Sequence, residues 1–126
     1  MVYFSITKWT TFHLYYTGYE LLLPDGLLDF FCVTDVHKTS DSITICLDEL
    51  DLSLSERSGR RFESKGFYPS RSIHDFPLRG KSLVLQVRRR RWLDLDTGNP
   101  YMRDWEIVAK GTRLTAEFAS FLKETP

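Results

Sequence analysis

The side chains most often used in acid–base catalysis are three histidines, His13, His37 and His74, and none of them falls at HxxxH or HExxH spacing. His74 is followed by Asp75, which could orient it as a general base, but adjacent residues of a strand point to opposite faces. We therefore expect His74 to be a surface or strand-packing residue. The glycines form neither a GxGxxG motif nor a Walker loop. These patterns predict that the chain is not an enzyme and uses no cofactor.

Metal binding has equally little support in the sequence. Cys32 and Cys46 match no CxxC or zinc-ligand spacing, which favours two inert thiols in a reducing cytosol. Asp94 and Asp96 lie at DxD spacing, which could hold a divalent cation, but the arginines before them favour salt bridges or a turn. A membrane span needs about 18 consecutive apolar residues without charges, and no segment of the sequence has them. The sequence therefore predicts no metal site and no membrane partner.

The strongest chemical signal is a run of four arginines in LVLQVRRRRWLDLDTG, residues 83–98. Four like charges repel one another, so we expect the run to be exposed. On a strand, Arg88 and Arg90 point to one face and Arg89 and Arg91 to the other. Guanidinium groups bind phosphate bidentately and keep their charge, which makes nucleic acid the preferred ligand. The alternatives are a solvated strand end and, in a eukaryotic host, a nuclear-localisation tract.

Other basic and aromatic residues accompany the run in sequence. Trp92 and Trp105 could stack on a base, although core packing is the favoured role for both. If about four phosphate contacts form on duplex DNA, the slope of log affinity against log salt concentration is about −3.6. The basic patch is extended by Arg71, Arg79, Lys81, Arg103, Lys110 and Arg113.

A net charge of zero conceals a strong asymmetry between the two parts of the chain. Residues 1–56 contain two basic and nine acidic residues, a net charge of −7, and residues 57–126 contain fifteen basic and eight acidic residues, a net charge of +7. Such asymmetry indicates either a polyanionic ligand for one half or attraction between the halves, within the fold or across a dimer. Charge alone leaves these two alternatives open.

In the acidic part, the sequence predicts a short helix over Pro24–Phe31 and two strands, Cys32–Lys38 and Ser42–Leu47, joined by the turn TSDS. Ile43, Ile45 and Leu47 share one strand face, which is typical of a half-buried antiparallel sheet. The polar stretch DELDLSLSERSGRRFESKGF is predicted to be a linker or an exposed loop. Residues 1–20 are expected to be either a flexible stretch or an upstream extension outside the folded domain.

In the basic part, Pro77 is expected to confine its segment to a sheet edge or to end a strand. Leu83, Leu85 and Val87 alternate at period two, and DTGNP predicts a turn, so residues 81–109 are predicted to form a β-hairpin whose return strand is YMRDWEIVAK. A C-terminal helix follows, with Thr115 as N-cap and an apolar stripe of Phe118, Phe121 and Leu122.

These elements predict a small α+β protein in four units. We expect a disordered extension at residues 1–20, an acidic unit of a helix and a β-hairpin at 21–56, and a basic β-hairpin unit at 57–111. The C-terminal helix occupies residues 112–126.

The ordered set RSIHDFPLRGK, RRRRW and GTRLTAEFASFL resembles a known family. Residues 64–122 are similar to the N-terminal region of bacterial insertion-sequence transposases of the DDE type, in the group where this region is a separate small protein (the ISAon type). In the related zinc-ribbon transposases, an arginine-rich strand leads into a CxxC pair. Here Trp92 stands at the first of those cysteines. The resemblance therefore implies a zinc-less ribbon-like β-hairpin, in which Trp92 and Trp105, with Phe67 and Tyr68, replace the metal site.

The resemblance also implies a function. The chain is expected to bind the terminal inverted repeats of the element beside a separate catalytic transposase subunit, in the bacterial cytoplasm and near the nucleoid. Residues 112–123 resemble the first helix of a helix-turn-helix, and the chain ends before a recognition helix. Phosphate contacts are assigned to Arg88, Arg89, Arg90 and Arg91, flanked by Arg71, Arg79, Lys81 and Arg103. The alternative is a protein-interaction module that forms a homodimer or docks on the catalytic subunit through Phe118, Phe121 and Leu122.

Overall fold

A computed structural model describes residues 18–110 and 114–124 of the chain. The predicted extension therefore lies almost wholly outside the described residues. Residues 112–113 and 125–126 of the predicted C-terminal unit also lie outside them, and these include Arg113 of the predicted basic patch. The described part is an α+β protein, formed mostly by strands in two sheets with three short α-helices. Its elements are a 3-10 helix (Leu27–Asp29), β1 (Phe31–Lys38), β2 (Ser42–Glu49), α1 (Leu54–Arg57), β3 (Phe62–Phe67), β4 (Arg71–Leu78), β5 (Lys81–Arg88), β6 (Arg90–Asp94), β7 (Pro100–Tyr101), α2 (Trp105–Lys110) and α3 (Ala116–Lys123).

The larger sheet has four strands in the order β1-β2-β5-β4. The predicted hairpin of β1 and β2 is confirmed, and β4 and β5 form a second antiparallel hairpin. The two hairpins join through parallel pairing of β2 with β5, in which Ile43, Ile45 and Leu47 lie opposite Leu83, Leu85 and Val87. All six side chains are buried, so the alternation at period two correctly predicts which face packs on the core.

The C-terminal helix α3 covers this core. Thr115 caps it as predicted, since its hydroxyl accepts a hydrogen bond of 3.2 Å from the backbone N–H of Phe118. The apolar stripe of Phe118, Phe121 and Leu122 is buried within the main hydrophobic cluster. The helix therefore packs on its own chain through the face that was also considered for docking.

The smaller sheet has three strands in the order β3-β6-β7. Only Arg89 separates β5 from β6, so the chain passes from one sheet into the other at the arginine run. The predicted turn follows β6: the Asp94 carboxylate accepts the backbone N–H groups of Asp96 and Thr97, and Gly98 takes a φ of +76°. A second, small cluster of Leu52, Phe62 and Trp92, with Tyr101 against it, fills the inner face of this sheet.

Three predictions of local structure are wrong. The helix over Pro24–Phe31 is reduced to the 3-10 turn Leu27–Asp29, because Phe31 begins β1 and buries its ring in the core. The predicted hairpin of residues 81–109 does not form, because β5 lies in the larger sheet and the return strand pairs with β6 over Pro100–Tyr101 only. Helix α2 then begins at Trp105, whose ring stacks on Phe31 with centroids 5.5 Å apart.

The third error concerns the polar stretch after β2, which is not simply a loop. It contains α1, stabilised by a capping box in which Ser53 and Glu56 satisfy each other's backbone N–H groups, and all of β3. No helix in the described ranges is long and apolar enough to cross a membrane.

Candidate nucleic-acid interface

Arg88, the first arginine of the run, is bound by a neighbouring strand. The β2–β5 register places Asp48 directly opposite it, and the Arg88 Nε donates to Asp48 Oδ1 over 2.7 Å. The second nitrogen, Nη2, donates to Asp48 Oδ2, so the pair is bidentate. This hydrogen bonding raises the pKa of Arg88. Its guanidinium carbon also lies 4.2 Å from the centre of the Phe67 ring.

Arg89 is the clearest departure from the prediction of an exposed run, because only 5% of the residue is accessible. Its Nη1 donates to the carbonyl oxygens of Leu122 at 3.3 Å and of Glu124 at 3.0 Å, where helix α3 ends. Its guanidinium carbon lies 4.5 Å from the centre of the Phe121 ring. Burial lowers the pKa of Arg89, and the carbonyls at a helix C-terminus favour a cation there.

Arg90 is half-buried and joins the two sheets through Glu49. Its backbone N–H donates to Glu49 Oε1 over 2.8 Å, and its Nε donates to the Glu49 carbonyl oxygen over 2.7 Å. The other carboxylate oxygen of Glu49 accepts the Trp92 indole N–H at 3.1 Å. Glu49 is 1% exposed. Burial raises the pKa of Glu49, against the opposing effect of these hydrogen bonds and of Arg103.

Arg91 is exposed, and its guanidinium carbon lies 5.9 Å from the centre of the Tyr68 ring. Among the described residues it forms no ion pair. Arg91 is therefore the member of the run whose charge is most accessible to a phosphate.

The flanking residues divide into two groups. Arg103 is buried, with ion pairs to Glu49 at 3.4 Å and to Glu56 at 2.6 Å and a hydrogen bond to the Asp51 carbonyl. Arg71 is exposed and pairs with Glu124 beside the Phe121 ring. Both make contacts within the fold.

Arg79 and Lys81 lie at the opposite end of the larger sheet, at the turn between β4 and β5. The eight residues of β5 separate this turn from Arg88, a distance of about 23 Å at 3.3 Å per residue. The eight predicted contact residues are therefore not brought together into one patch.

The opposite charges of the two halves meet inside the fold. Asp48 of the acidic half forms an ion pair with Arg88 of the basic half, and Glu49 and Glu56 both form ion pairs with Arg103. β2 of the predicted acidic unit and β5 of the predicted basic unit belong to one sheet. Of the alternatives raised by the charge asymmetry, attraction within the fold is therefore observed.

Trp92 and Trp105 are both buried, as core packing predicts, but they lie in different clusters. Trp92 packs with Leu52 and Phe62 in the small cluster, whereas Trp105 belongs to the main core. Phe67 contacts the guanidinium groups of Arg88 and Arg90, and Tyr68 contacts that of Arg91.

Among the described residues, the histidines and cysteines weighed as catalytic or metal-binding groups make contacts within the fold or are partly buried in it. His37 pairs with Asp35 at 3.1 Å on the surface, and the backbone N–H of His74 donates to Glu117 at 3.5 Å. His13 lies outside the described residues. Cys32 and Cys46 are free thiols whose pKa values are raised by burial. Within the described ranges, no group of three or more His, Cys, Asp or Glu side chains could hold a metal ion.

Two important residues were missed by sequence reasoning. Glu49 continues the alternation of Ile43, Ile45 and Leu47, so its place in the period predicts burial. Lys38 is predicted to lie on a strand, and no pattern in the sequence assigns it a role, although it lies at the same end of the sheet as the turn that contains Arg79. Lys38 and this turn are close because β2 pairs with β5 in parallel, and no pattern in the sequence predicts that pairing.

Comparison of the chain with protein-family models, with curated proteins and with solved structures gives no match.

Proposed function

We propose that the protein is a non-catalytic DNA-binding protein that supports transposition, acting beside a separate catalytic transposase subunit. The transposition context rests on the sequence resemblance of residues 64–122. DNA at the terminal inverted repeats is the ligand in this proposal, and the bacterial cytoplasm near the nucleoid is its location.

One observation carries the DNA-binding part of the proposal. Of the eight predicted contact residues, three have a side chain that forms neither an ion pair nor a hydrogen bond with any described residue: Arg79, Lys81 and Arg91, of which Arg79 and Arg91 are exposed. Cations with no carboxylate partner can approach a phosphate without breaking a contact of the fold. Because phosphates carry no sequence information, the proposed contacts supply affinity and not base readout.

The fold part of the proposal concerns the three-stranded sheet. We propose that β3, β6 and β7 correspond to a ribbon-like unit without zinc. The cluster of Leu52, Phe62 and Trp92 supports this, since it fills the inner face of the sheet with apolar groups. Trp105 lies in the other cluster, so in this proposal Trp92 alone replaces a zinc ligand.

Fluorescence anisotropy with a labelled duplex, measured between about 50 and 200 mM salt, tests the function. Three phosphate contacts predict a log–log slope of about −2.7. The triple variant Arg79→Gln, Lys81→Gln, Arg91→Gln is expected to lose most of this slope, equally on a terminal-repeat duplex and on a scrambled one.

The matched control is Arg61→Gln. Arg61 is also exposed, with 69% of its side chain accessible, but it is ion-paired with Asp96 at 2.9 Å. This variant is expected to bind as the wild type does. Wild-type affinity that is independent of salt, or a triple variant that keeps the wild-type slope, contradicts the proposal.

A protein-interaction module is the second candidate function. Its support is an exposed apolar surface: Leu21 and Phe76 are 86% and 73% accessible, and Leu22, Pro24 and Phe76 line a groove of about 170 Å³. Gel filtration and a pull-down with the catalytic subunit test it. Dimerisation or capture, together with no DNA retardation at low salt, would favour this candidate.

A further inference from the structure

The parallel pairing of β2 with β5 brings two hairpin turns to the same end of the larger sheet. The β1–β2 turn follows Lys38, and the β4–β5 turn consists of Arg79 and Gly80. A backbone hydrogen bond of 2.9 Å from Ser82 N–H to the Asp41 carbonyl oxygen ties the two turns together. This end of the sheet is therefore a defined surface and not two independent loops.

Three cations lie on this surface, which we call the basic tip: Lys38, Arg79 and Lys81. None of them forms an ion pair with a described residue. Lys38 lies 6.0 Å from the centre of the Tyr19 ring. The two turns contain one carboxylate, that of Asp41, so the basic tip has a net positive charge.

Lys38 and Lys81 point to the same side of the sheet. Lys38 is paired with Ile43, and Ile43 is paired with Leu83, which is two residues from Lys81 on β5. Two strand spacings separate β1 from β5, a distance of about 10 Å. The two ammonium groups are thus close enough to reach one phosphate backbone.

Arg79 holds an unusual backbone conformation. Its φ is +48° and that of Gly80 is +80°, so both central residues of the two-residue turn have positive φ, as in a type I′ hairpin. Asn, Asp and Gly are favoured at the first of these positions, and a residue with a long side chain is strained there. Such strained residues concentrate at functional sites, so the position of Arg79 indicates a role beyond folding.

We infer that the basic tip is the surface that binds the phosphate backbone of duplex DNA, with Lys38, Arg79 and Lys81 as the contact residues. The inference rests on the proposed function and identifies its site. The tip spans four strands, about 14 Å, and the major groove is about 12 Å wide. The tip therefore contacts the phosphates at the rim of the groove and does not enter it to read base edges.

The test compares three variants with the wild type by fluorescence anisotropy on one duplex of arbitrary sequence, titrated at several salt concentrations. The tip variant is Lys38→Gln, Arg79→Asn, Lys81→Gln, in which Asn suits the turn and preserves the fold. The control, Arg61→Gln, Lys65→Gln, Lys123→Gln, removes the same charge from exposed positions outside the tip and outside the predicted contact residues. The third variant is the single substitution Arg91→Gln.

We expect the tip variant to lose about 2.7 of the log–log salt slope, about 0.9 for each contact. The control is expected to keep the wild-type slope, and Arg91→Gln, which removes one contact of the proposed function outside the tip, is expected to lose no more than about 0.9 of it. If the tip variant keeps the wild-type slope, the inference is overturned whatever Arg91→Gln does, and DNA binding itself stands because the wild type still binds in a salt-dependent way. If the wild type shows no salt-dependent binding to the duplex, the proposed function itself fails.

Discussion

Replacing Arg89 with alanine separates the structural role of the arginine run from a role in binding. The guanidinium of Arg89 is buried against Phe121 and donates to the carbonyl groups of Leu122 and Glu124 at the end of helix α3. Alanine removes these hydrogen bonds and leaves part of the helix C-terminus without its donor. The variant is therefore expected to weaken the attachment of α3 to the junction of the two sheets.

The size of the effect follows from these contacts. Hydrogen bonds from a charged group contribute about 1.5–3 kcal/mol, and a guanidinium on an aromatic ring adds about 0.5–2 kcal/mol. We expect the free energy of unfolding to fall by about 3 kcal/mol. Since small domains have about 5–15 kcal/mol in total, this is a large fraction of the stability.

Urea denaturation followed by tryptophan fluorescence measures the loss. With an m-value of about 1.5 kcal/mol/M, the midpoint is expected to fall by about 2 M with m unchanged. Arg91→Ala is the control, because its exposed side chain predicts a change within about 0.5 kcal/mol. Equal midpoints for Arg89→Ala and the wild type, or an equal loss for Arg91→Ala, would refute the structural role of Arg89.

Two further predictions concern the turns. Arg79→Gly is expected to raise the free energy of unfolding by about 1 kcal/mol, because glycine adopts a φ of +48° without strain, and thermal unfolding checks this gain. Burial alone would raise the pKa of Asp94, but hydrogen bonds from Arg60 and from the backbone N–H groups of Asp96 and Thr97 outweigh it and lower the pKa. The folded-state pKa thus lies below that of the unfolded chain, so the stability from Asp94 is present above the unfolded pKa and lost as pH falls through the folded one. Arg60→Gln is expected to reduce this acid dependence in urea titrations between about pH 2 and 6, and an unchanged dependence would contradict the assignment.

Strands could be predicted from the sequence where apolar residues alternate with polar ones along the whole strand. Ile43, Ile45 and Leu47 predicted β2 and its buried face, and Thr115 predicted the start of α3. Both signals are local, since each depends on residues within a few positions of one another.

Arg89 shows why the candidate site was only partly predictable. It follows Leu83, Leu85 and Val87 in the same phase, so the period favours burial, whereas its charge favours exposure. The conflict is resolved by carbonyl groups at Leu122 and Glu124, more than thirty residues away. Nothing local to the arginine run reveals those acceptors.

The parallel pairing of β2 with β5 also determines the order in which the larger sheet can assemble. Each hairpin, β1 with β2 and β4 with β5, closes through a turn of a few residues and can form early. Joining them requires residues 42–48 to meet residues 82–88 after a separation of forty positions, and that contact has to be made before Arg88 can reach Asp48. Closing such a long loop costs conformational entropy before any pairing compensates for it. The central pair of strands, which is the best buried in the finished sheet, is thus the slowest part of it to form.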